Sequence, residues 1–186
     1  MASKTDISNI ALYELGLDPI TSLTDGTDIA NACNALYEET AKEVMTEGAF
    51  SSTIKRATLN QTTTTPNFEY SYEFQLPTDP KCLRVLNANT NIEYMVEGDK
   101  LVTDNSTIKV RYISHLTNSG DYDEMLKQAI TAKLKYRLAK AFNAVNANES
   151  KLLYEQYLLI QRKSLAIDGK QGTSRQLKSE DFTRIR

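Results

Sequence analysis

One long amphipathic helix is the sequence feature that most constrains how this chain can fold. Between Thr27 and Gly48, apolar residues recur at the i, i+3, i+4 spacing of an α-helix. They form a single stripe made of Ile29, Ala32, Cys33, Leu36, Ala41, Val44 and Met45. Asp25, Thr27 and Asp28 offer capping oxygens to the first turn, and Gly48 is a typical helix end. A stripe of this width is buried only against other helices, so the sequence predicts a helical domain.

Three further helices are predicted from the same periodicity. They run from Asp6 to Leu15, from Asp121 to Phe142 and from Glu149 to Ile167. An Asp-x-x-Glu sequence at the start of the third helix is typical of a capping box. The fourth helix has a predicted buried stripe of Leu153, Tyr157, Ile160 and Ile167, widened by Leu152 and Leu159. Its connector to the third helix is short, which predicts that these two helices are antiparallel neighbours.

Between the second and third helices the sequence pattern changes to the alternation of β-strands. Six strands are predicted, at residues 53–59, 70–76, 82–87, 92–97, 101–103 and 107–114. The tight-turn pairs Gly98-Asp99 and Asp104-Asn105 predict that the last three strands form a meander of hairpins. The segment is therefore expected to be a small antiparallel sheet or a barrel-like insert.

The predicted fold class is α+β, with three parts. Residues 1–50 and 118–168 form a four-helix bundle-like α domain, residues 51–117 form a small antiparallel β insert between helices 2 and 3, and residues 169–186 form an extended C-terminal tail. After the fourth helix, only Leu177, Phe182 and Ile185 are large and apolar, which is too few for a core. Such a segment is expected to become ordered against another chain.

Composition gives little support to nucleic acid or a membrane as a bound partner. The net charge is -2, so bulk electrostatics does not indicate binding to nucleic acid or to an anionic membrane. No apolar run reaches transmembrane length and the sequence MASKTDISN lacks the pattern of a signal peptide, so a soluble protein made in a cytoplasm is expected. Cys33 and Cys82 are predicted to be free thiols.

The residues offer little catalytic or metal chemistry. His115 is the only histidine, which leaves catalytic triads and multi-histidine metal sites without ligands. A four-cysteine zinc pattern, a Walker loop and a GxGxxG motif are all missing from the sequence. We therefore predict no catalytic residue, no cofactor and no metal.

Three clusters allow a functional and a structural interpretation. The glutamates Glu39, Glu43 and Glu47 lie at successive i, i+4 positions, which suits a solvated helix face, a general acid for glycoside hydrolysis, or an acidic channel lining past which DNA slides. On the third helix a basic set, Lys133, Arg137 and Lys140, suits phosphate binding or solvation beside the buried stripe. An aromatic set, Tyr70, Tyr72 and Phe74, suits base stacking or core packing. In each case the structural interpretation is favoured.

Several stretches, in order along the chain, resemble one known family. IALYELGLDPITSLTDGTDIANACNALYEETAKEVM resembles a helix ending in Leu-Gly, a loop with Ile-x-Ser-Leu and a long alanine-rich helix. IKRATL and YSYEFQLPTDPKCLRVL are similar to a β segment in which a Tyr-rich strand precedes Leu-Pro-x-Asp and Leu-Arg-Val-Leu. YMVEGDKLVTDNSTIKVRYI and DYDEMLKQAITAKLKYRLAKAF resemble the hairpin and the third helix that follow. This ordered set resembles the head-to-tail adaptor family of tailed phages, whose short-tailed members are called tail tubular protein A.

The resemblance implies a structural virion protein and no enzyme. Twelve copies would form a ring that binds the portal, continues the DNA channel without binding DNA specifically, and offers a docking platform to the next tail component. The protein would be assembled in the bacterial cytoplasm, have no membrane partner, and end up at the head-tail junction. One departure is the absence of Trp after the second helix, where Phe50 is expected to fill the aromatic position.

The resemblance also assigns roles to residues. The C-terminal tail would lock the adaptor onto the portal ring. Its predicted portal-binding residues are Arg175, Leu177, Lys178, Phe182, Arg184, Ile185 and Arg186. The glutamate line Glu39, Glu43 and Glu47 is the candidate lumen-facing surface. Two alternatives remain at this point: a cell-wall-degrading tail protein that uses a glutamate such as Glu47, and a nucleic-acid-binding module, which the net charge disfavours.

Overall fold

The computed structural model describes residues 3–89 and 92–169 of the 186-residue chain. The described residues form four α-helices, α1 (Lys4–Tyr13), α2 (Asp28–Glu47), α3 (Glu124–Ala141) and α4 (Ala147–Gly169). They also form seven β-strands, β1 (Ile54–Thr58), β2 (Asn60–Gln61), β3 (Tyr72–Gln75), β4 (Cys82–Ala88), β5 (Tyr94–Glu97), β6 (Lys100–Thr103) and β7 (Lys109–Ser114). All seven strands lie between α2 and α3.

Side-chain caps determine where the first two helices begin. Of the three predicted capping residues, Thr27 caps α2: its Oγ1 accepts a hydrogen bond from the backbone N–H of Ala30 at 3.2 Å. The first helix begins earlier than predicted. Ser3 and Asp6 form a reciprocal capping box there, in which each side chain accepts a hydrogen bond from the other residue's backbone N–H.

The seven strands form two antiparallel sheets. In the three-stranded sheet the strand order is β1-β7-β4, and in the four-stranded sheet it is β2-β3-β6-β5. Strand β7 pairs with β1 in a register that places Ile54 opposite Ile113 and Arg56 opposite Arg111. On its other edge β7 pairs with β4, which is irregular after Cys82 and after Val85.

Two apolar cores divide the molecule into three layers. Between the two sheets lies a core that contains Leu59, Phe74, Leu76, Leu101, Ile108, Val110 and Tyr112. The helices enclose the other core, and Ile113 of β7 is buried in it while Leu83 and Leu86 of β4 pack against it. Because side chains alternate across a strand, the three-stranded sheet serves the inter-sheet core with one face and the helical core with the other.

The predicted four-helix bundle with a small insert is wrong. The structure is α+β with two antiparallel sheets, and one of those sheets forms part of the helical core. Helix α3 is central, because α1, α2 and α4 all pack against it. Helices α3 and α4 run antiparallel as predicted: the Tyr136 ring lies 5.2 Å from that of Tyr154, and the Lys133 ammonium lies over Tyr157.

The predicted meander of the last three strands is also wrong. Strands β5 and β6 form the expected hairpin, but β7 leaves that sheet and becomes the central strand of the other one. Burial explains the change, since Ile108, Val110 and Tyr112 insert between the two sheets. The predicted C-terminal tail lies outside the described residues, except for Gly169 at the end of α4. None of the described helices is long and apolar enough to cross a membrane.

The cap of α3 provides a test of how the strand segment is attached to the helices. The cap is Asp123 and not the predicted Asp121: one Asp123 oxygen accepts from the Leu126 N–H at 2.7 Å, and the other accepts from the N–H and hydroxyl of Ser52. We expect Asp123→Ala to lower the free energy of unfolding by about 2 kcal/mol, the upper end of the range for a lost helix cap. The upper end applies because the bonds to Ser52 are lost as well. Asp123→Asn is the control, because its amide oxygen still caps the helix and should restore most of the stability in urea unfolding. An equal loss in both variants would contradict the capping role.

Candidate functional site

Charged and polar side chains from three helices meet beside α3. We call this group the ionic cluster, and it contains Glu43, Glu47, Lys133, Arg137, Tyr157 and Gln161. The glutamates of α2 face the cations of α3. Both pairs are spaced i, i+4, so the charges on successive turns of the two helices lie opposite one another. Side chains of α4 complete the group from the opposite side.

Lys133 is the centre of the ionic cluster. Its side chain is buried, with only 4% of the residue surface exposed. The ammonium nitrogen lies 2.8 Å from Glu43 Oε1 and 2.9 Å from both carboxylate oxygens of Glu47. It also lies 4.8 Å from the centre of the Tyr157 ring, within the range of a cation–π contact. A buried ammonium is stable only with such partners, and here two carboxylates and an aromatic ring supply them.

Arg137 continues the ion pairing one turn further along α3. Its guanidinium forms an ion pair with Glu43 and donates a hydrogen bond to the Thr40 hydroxyl at 3.1 Å. That hydroxyl in turn donates to the backbone carbonyl of Leu36 at 2.6 Å. Glu43 therefore bridges two cations, and the four charged side chains of the ionic cluster neutralise one another.

Glu47 ties α4 to α2. Its carboxylate accepts hydrogen bonds from the Tyr157 hydroxyl and, at 3.2 Å, from the Gln161 amide. Burial alone would raise the pKa of Glu47, but the hydrogen bonds from Tyr157 and Lys133 outweigh it and lower that pKa below its usual value of 4.5. The pKa of Tyr157 is raised, first by burial and then by its bond to Glu47, so the phenol stays protonated and remains a donor.

The glutamate line is therefore divided in the structure. Glu43 and Glu47 are engaged in ion pairs, whereas Glu39 is exposed and has no cation within ion-pair distance among residues 3–89 and 92–169. A general acid for glycoside hydrolysis needs a raised pKa, and Glu47 has a lowered one. The geometry therefore disfavours Glu47 as an acid catalyst. Within the described residues, Glu39 is the one member of the glutamate line without a cation partner.

The basic set of the third helix does not form an exposed phosphate site. Lys133 is buried and Arg137 is half-buried, and both are paired with glutamates. The third member, Lys140, is exposed and lies 5.5 Å from the centre of the Tyr136 ring. The expectation that these side chains only solvate the helix flank is therefore wrong for Lys133. Opposite charges at matching spacing on two helices were visible in the sequence, but their alignment in space was not.

An open groove lies between α1 and α4, with α3 as its floor. Its volume is about 340 Å³. Ile7 and Ile10 of α1 line one wall, and Leu153 and Ile160 of α4 line the other. Polar pairs border it, including the Lys135–Glu14 ion pair at 2.7 Å. An apolar centre with a polar rim is the usual arrangement of a protein–protein interface.

Next to this groove, α4 exposes part of its predicted buried stripe. Leu152 is 53% exposed and Leu159 is 68% exposed, and they lie two helical turns apart on one side of the helix. We call these two residues the α4 strip. Their sequence neighbours Leu153 and Ile160 line the groove, so the two surfaces adjoin. Of the residues in the predicted stripe, only Tyr157 is fully buried.

The remaining predicted site residues have structural positions or lie outside the description. Phe74 is buried between the sheets and Tyr72 packs against the same core, which supports the core-packing interpretation for these two. Tyr70 lies before β3 and is not among the residues of that core. His115 is half-buried, and burial lowers its pKa. The seven predicted portal-binding residues, from Arg175 to Arg186, lie outside the described residues. Cys33 and Cys82 are free thiols, as predicted.

Comparison with known proteins adds no family assignment. No protein-family model matches this chain, and no curated protein matches it. Among the described residues, no group of three or more His, Cys, Asp or Glu side chains is placed to hold a metal ion.

Proposed function

We propose that this chain is a head-to-tail adaptor of a tailed phage, a structural virion protein. In this proposal a ring of twelve copies binds the portal, continues the DNA channel and carries the docking platform for the next tail component. The resemblance of the ordered sequence segments to that family is one support. The other is the apolar surface on α1 and α4 that the described part of the chain leaves exposed, and this observation carries the proposal.

The apolar surface suits contact between identical copies. Leu152 and Leu159 expose more than half of their surface, and a groove lined by apolar side chains lies beside them. Burial of large apolar side chains is the main favourable term in association. A neighbouring copy that inserts its α4 strip into this groove would bury both surfaces at once. When the strip of one copy enters the groove of the next without reciprocal insertion, the contact is head-to-tail, and such contacts generate a ring when the rotation closes.

The ionic cluster supports this proposal in a second way. It ties α4 to α2 and α3 through Glu47, so the α4 strip is presented on a helix whose position is determined. A rigid surface loses less conformational entropy when it binds. The cluster thereby acts as scaffold, and its carboxylates are occupied in that role.

The C-terminal tail is the second part of the proposed mechanism. Leu177, Phe182 and Ile185 would insert into the portal, while the basic residues among them would steer the encounter. Three apolar residues are too few for a core of their own, so in this proposal they gain their burial from the portal. Ring contacts and portal contacts would therefore be made by different parts of the chain.

The experiment mixes the purified protein with the portal ring of the same phage and measures the mass of the product. We expect the double variant Leu152→Gln/Leu159→Gln to form at least tenfold less ring complex than wild type, because a polar side chain would lose its solvation in the interface. The double variant Lys151→Gln/Glu155→Gln is the matched control. It alters the same exposed side of the same helix without changing the net charge and should assemble like wild type.

A second pair of samples separates the tail from the ring surface. A chain that ends at residue 168 should not bind the portal, whereas the full-length chain should bind in a stoichiometric ring. If both chains bind, the adaptor proposal stands and the role of the tail is wrong. If neither binds at any salt concentration, the adaptor proposal itself is wrong.

A further inference from the structure

One end of the three-stranded sheet carries hydrogen-bond donors that the proposed function does not use. Residues directly opposite one another on antiparallel strands share a face of the sheet. The register places Arg56 of β1 opposite Arg111 of β7, and Arg111 opposite Asn87 of β4. Two residues further along the strands, Thr58 of β1 lies opposite Lys109 of β7. These side chains therefore form two adjacent rows across the three strands.

Asn89 extends the second row beyond β4. Its backbone N–H donates to the Lys109 carbonyl, and its side-chain oxygen accepts from the Lys109 N–H, both at 2.9 Å. The oxygen of that amide is thereby occupied, while the NH₂ group keeps its donor capacity. We call the whole set the donor grid, and it consists of Arg56, Thr58, Asn87, Asn89, Lys109 and Arg111.

The donor grid lines a concave region with a volume of about 400 Å³. Neither Asp nor Glu is among the described residues that line it. Arg56, Lys109 and Arg111 are exposed, and in the described part of the chain no carboxylate lies within ion-pair distance of any of them. Some other basic side chains do have carboxylate partners, as Lys133 and Arg137 have in the ionic cluster. Three cations therefore share one concavity, and the described residues supply no counter-charge there.

Arg56 and Arg111 also form an unfavourable pair in the absence of a ligand. Like charges directly opposite one another on paired strands destabilise the sheet. An anion between the two guanidinium groups would reverse the sign of this interaction. Guanidinium groups offer paired donors in a planar fork, which matches the oxygens of a phosphate. An oxoanion between the two groups would therefore suit this opposed pair.

We propose that the donor grid binds the phosphates of a polynucleotide backbone. Arg, Lys, Asn and Thr are the side chains that supply phosphate contacts in protein–DNA complexes. Its two rows lie about 6.7 Å apart along the strands, so an extended chain of phosphates contacts Lys109 as well as the arginine pair. Among the described residues that line the concavity there is no aromatic side chain for base stacking, so the proposed binding is independent of sequence. This inference stands on the grid alone and does not require the adaptor proposal.

The net charge of -2 is compatible with this site, because the grid concentrates cations that the rest of the chain balances. Binding through about three phosphates is modest and strongly dependent on salt. Each contact that is lost lowers the slope of log K against log salt by about 0.9 on duplex DNA and by about 0.7 on a single strand. The slope is therefore a readout that a merely structural role of these residues would not change.

The experiment measures the anisotropy of a labelled oligonucleotide of about 20 nucleotides, single-stranded or duplex, with the full-length chain at about 50 to about 200 mM salt. We expect Arg56→Gln/Arg111→Gln to weaken binding at least tenfold at the low salt concentration and to reduce the slope by about 1.4 to about 1.8. The double variant Arg162→Gln/Lys163→Gln is the matched control. It removes two exposed charges from α4 and should leave the slope nearly unchanged.

Two more samples keep the test decisive. Arg56→Lys/Arg111→Lys retains both charges and the fold but loses the planar forks, so it should bind more weakly than wild type with a similar slope. Poly-glutamate of matched length tests carboxylates as the alternative ligand. Three outcomes would overturn the proposal. They are an equal loss of binding in the grid and control variants, no binding at low salt, and tighter binding to poly-glutamate.

Discussion

Replacing both glutamates that hold Lys133, in the double variant Glu43→Gln/Glu47→Gln, is expected to lower the free energy of unfolding by about 3 kcal/mol. The two glutamines match the size of the glutamates but remove both negative charges from a buried ammonium. Breaking a buried ion pair typically costs about 3–5 kcal/mol, because the remaining charge is left uncompensated. The low end of that range applies here, since the glutamate side chains are 38% and 41% exposed and water reaches them. Urea unfolding followed by circular dichroism measures the loss.

The control for this prediction removes the buried charge itself. Lys133→Met keeps a long side chain against the Tyr157 ring, and the two glutamates remain hydrated and keep their other partners. We therefore expect a loss below about 1 kcal/mol. A Lys133→Met variant as unstable as the double glutamine variant would contradict our argument that uncompensated burial dominates.

The pH dependence of stability gives a second readout of the same cluster. The pKa of Glu47 is lower in the folded protein than its usual value of 4.5. As the pH falls below about 4.5, the unfolded chain takes up a proton at this residue before the folded chain does, so stability is lost towards acid. The variant Glu47→Gln should lack this part of the acid dependence while remaining less stable at neutral pH.

Replacing Phe50 with alanine is expected to lower the free energy of unfolding by about 3–5 kcal/mol. Phe50 is fully buried in the helical core, at the position where the resemblance predicted an aromatic residue. Loss of its ring removes apolar burial and leaves a cavity that the neighbouring helices fill only in part. The same urea experiment measures the effect.

Gly48 provides a sharp companion test, because a side chain there would meet the same ring. A Cβ atom on Gly48 would lie 2.3 Å from Cε2 of Phe50, which is closer than atoms can approach. Gly48→Ala alone should therefore cost about 1–3 kcal/mol through overpacking. In the double variant Gly48→Ala/Phe50→Ala the clash is gone, so its loss should fall short of the sum by about 1 kcal/mol or more. Additive losses would contradict the proposed contact.

The two proposals concern different sets of residues and can fail separately. The adaptor proposal depends on the α4 strip and the groove, both of which belong to the helical layer. Phosphate binding depends on the donor grid at one end of the three-stranded sheet. If both hold, a ring of copies would present basic sheet faces as a repeated contact for a nucleic acid strand. The glutamate line would then be a scaffold element and not the channel lining.

The sequence by itself determined the local structure well. Apolar residues at 3.6-residue spacing identified all four helices of the described chain, and the cap of α2, Thr27, is one of three residues that the sequence offered for that role. Alternation identified six of the seven strands, and only β2, two residues long, was missed. These features depend on contacts within a few residues of one another, such as caps, turns and side-chain alternation. A single sequence contains that information directly.

Only the tertiary structure decided which elements are neighbours. Strand β7 pairs in the three-stranded sheet because Ile108 and Val110 fill the space between the sheets. The turn sequence between β6 and β7 does not contain this information. The ionic cluster has the same origin. Glu47 and Lys133 are 86 positions apart in the chain, so their pairing depends on how α2 and α3 pack. The donor grid also arises from strand register, which places Arg56 and Arg111 side by side. Long-range packing is selected by the burial of the whole chain, and no local pattern specifies it.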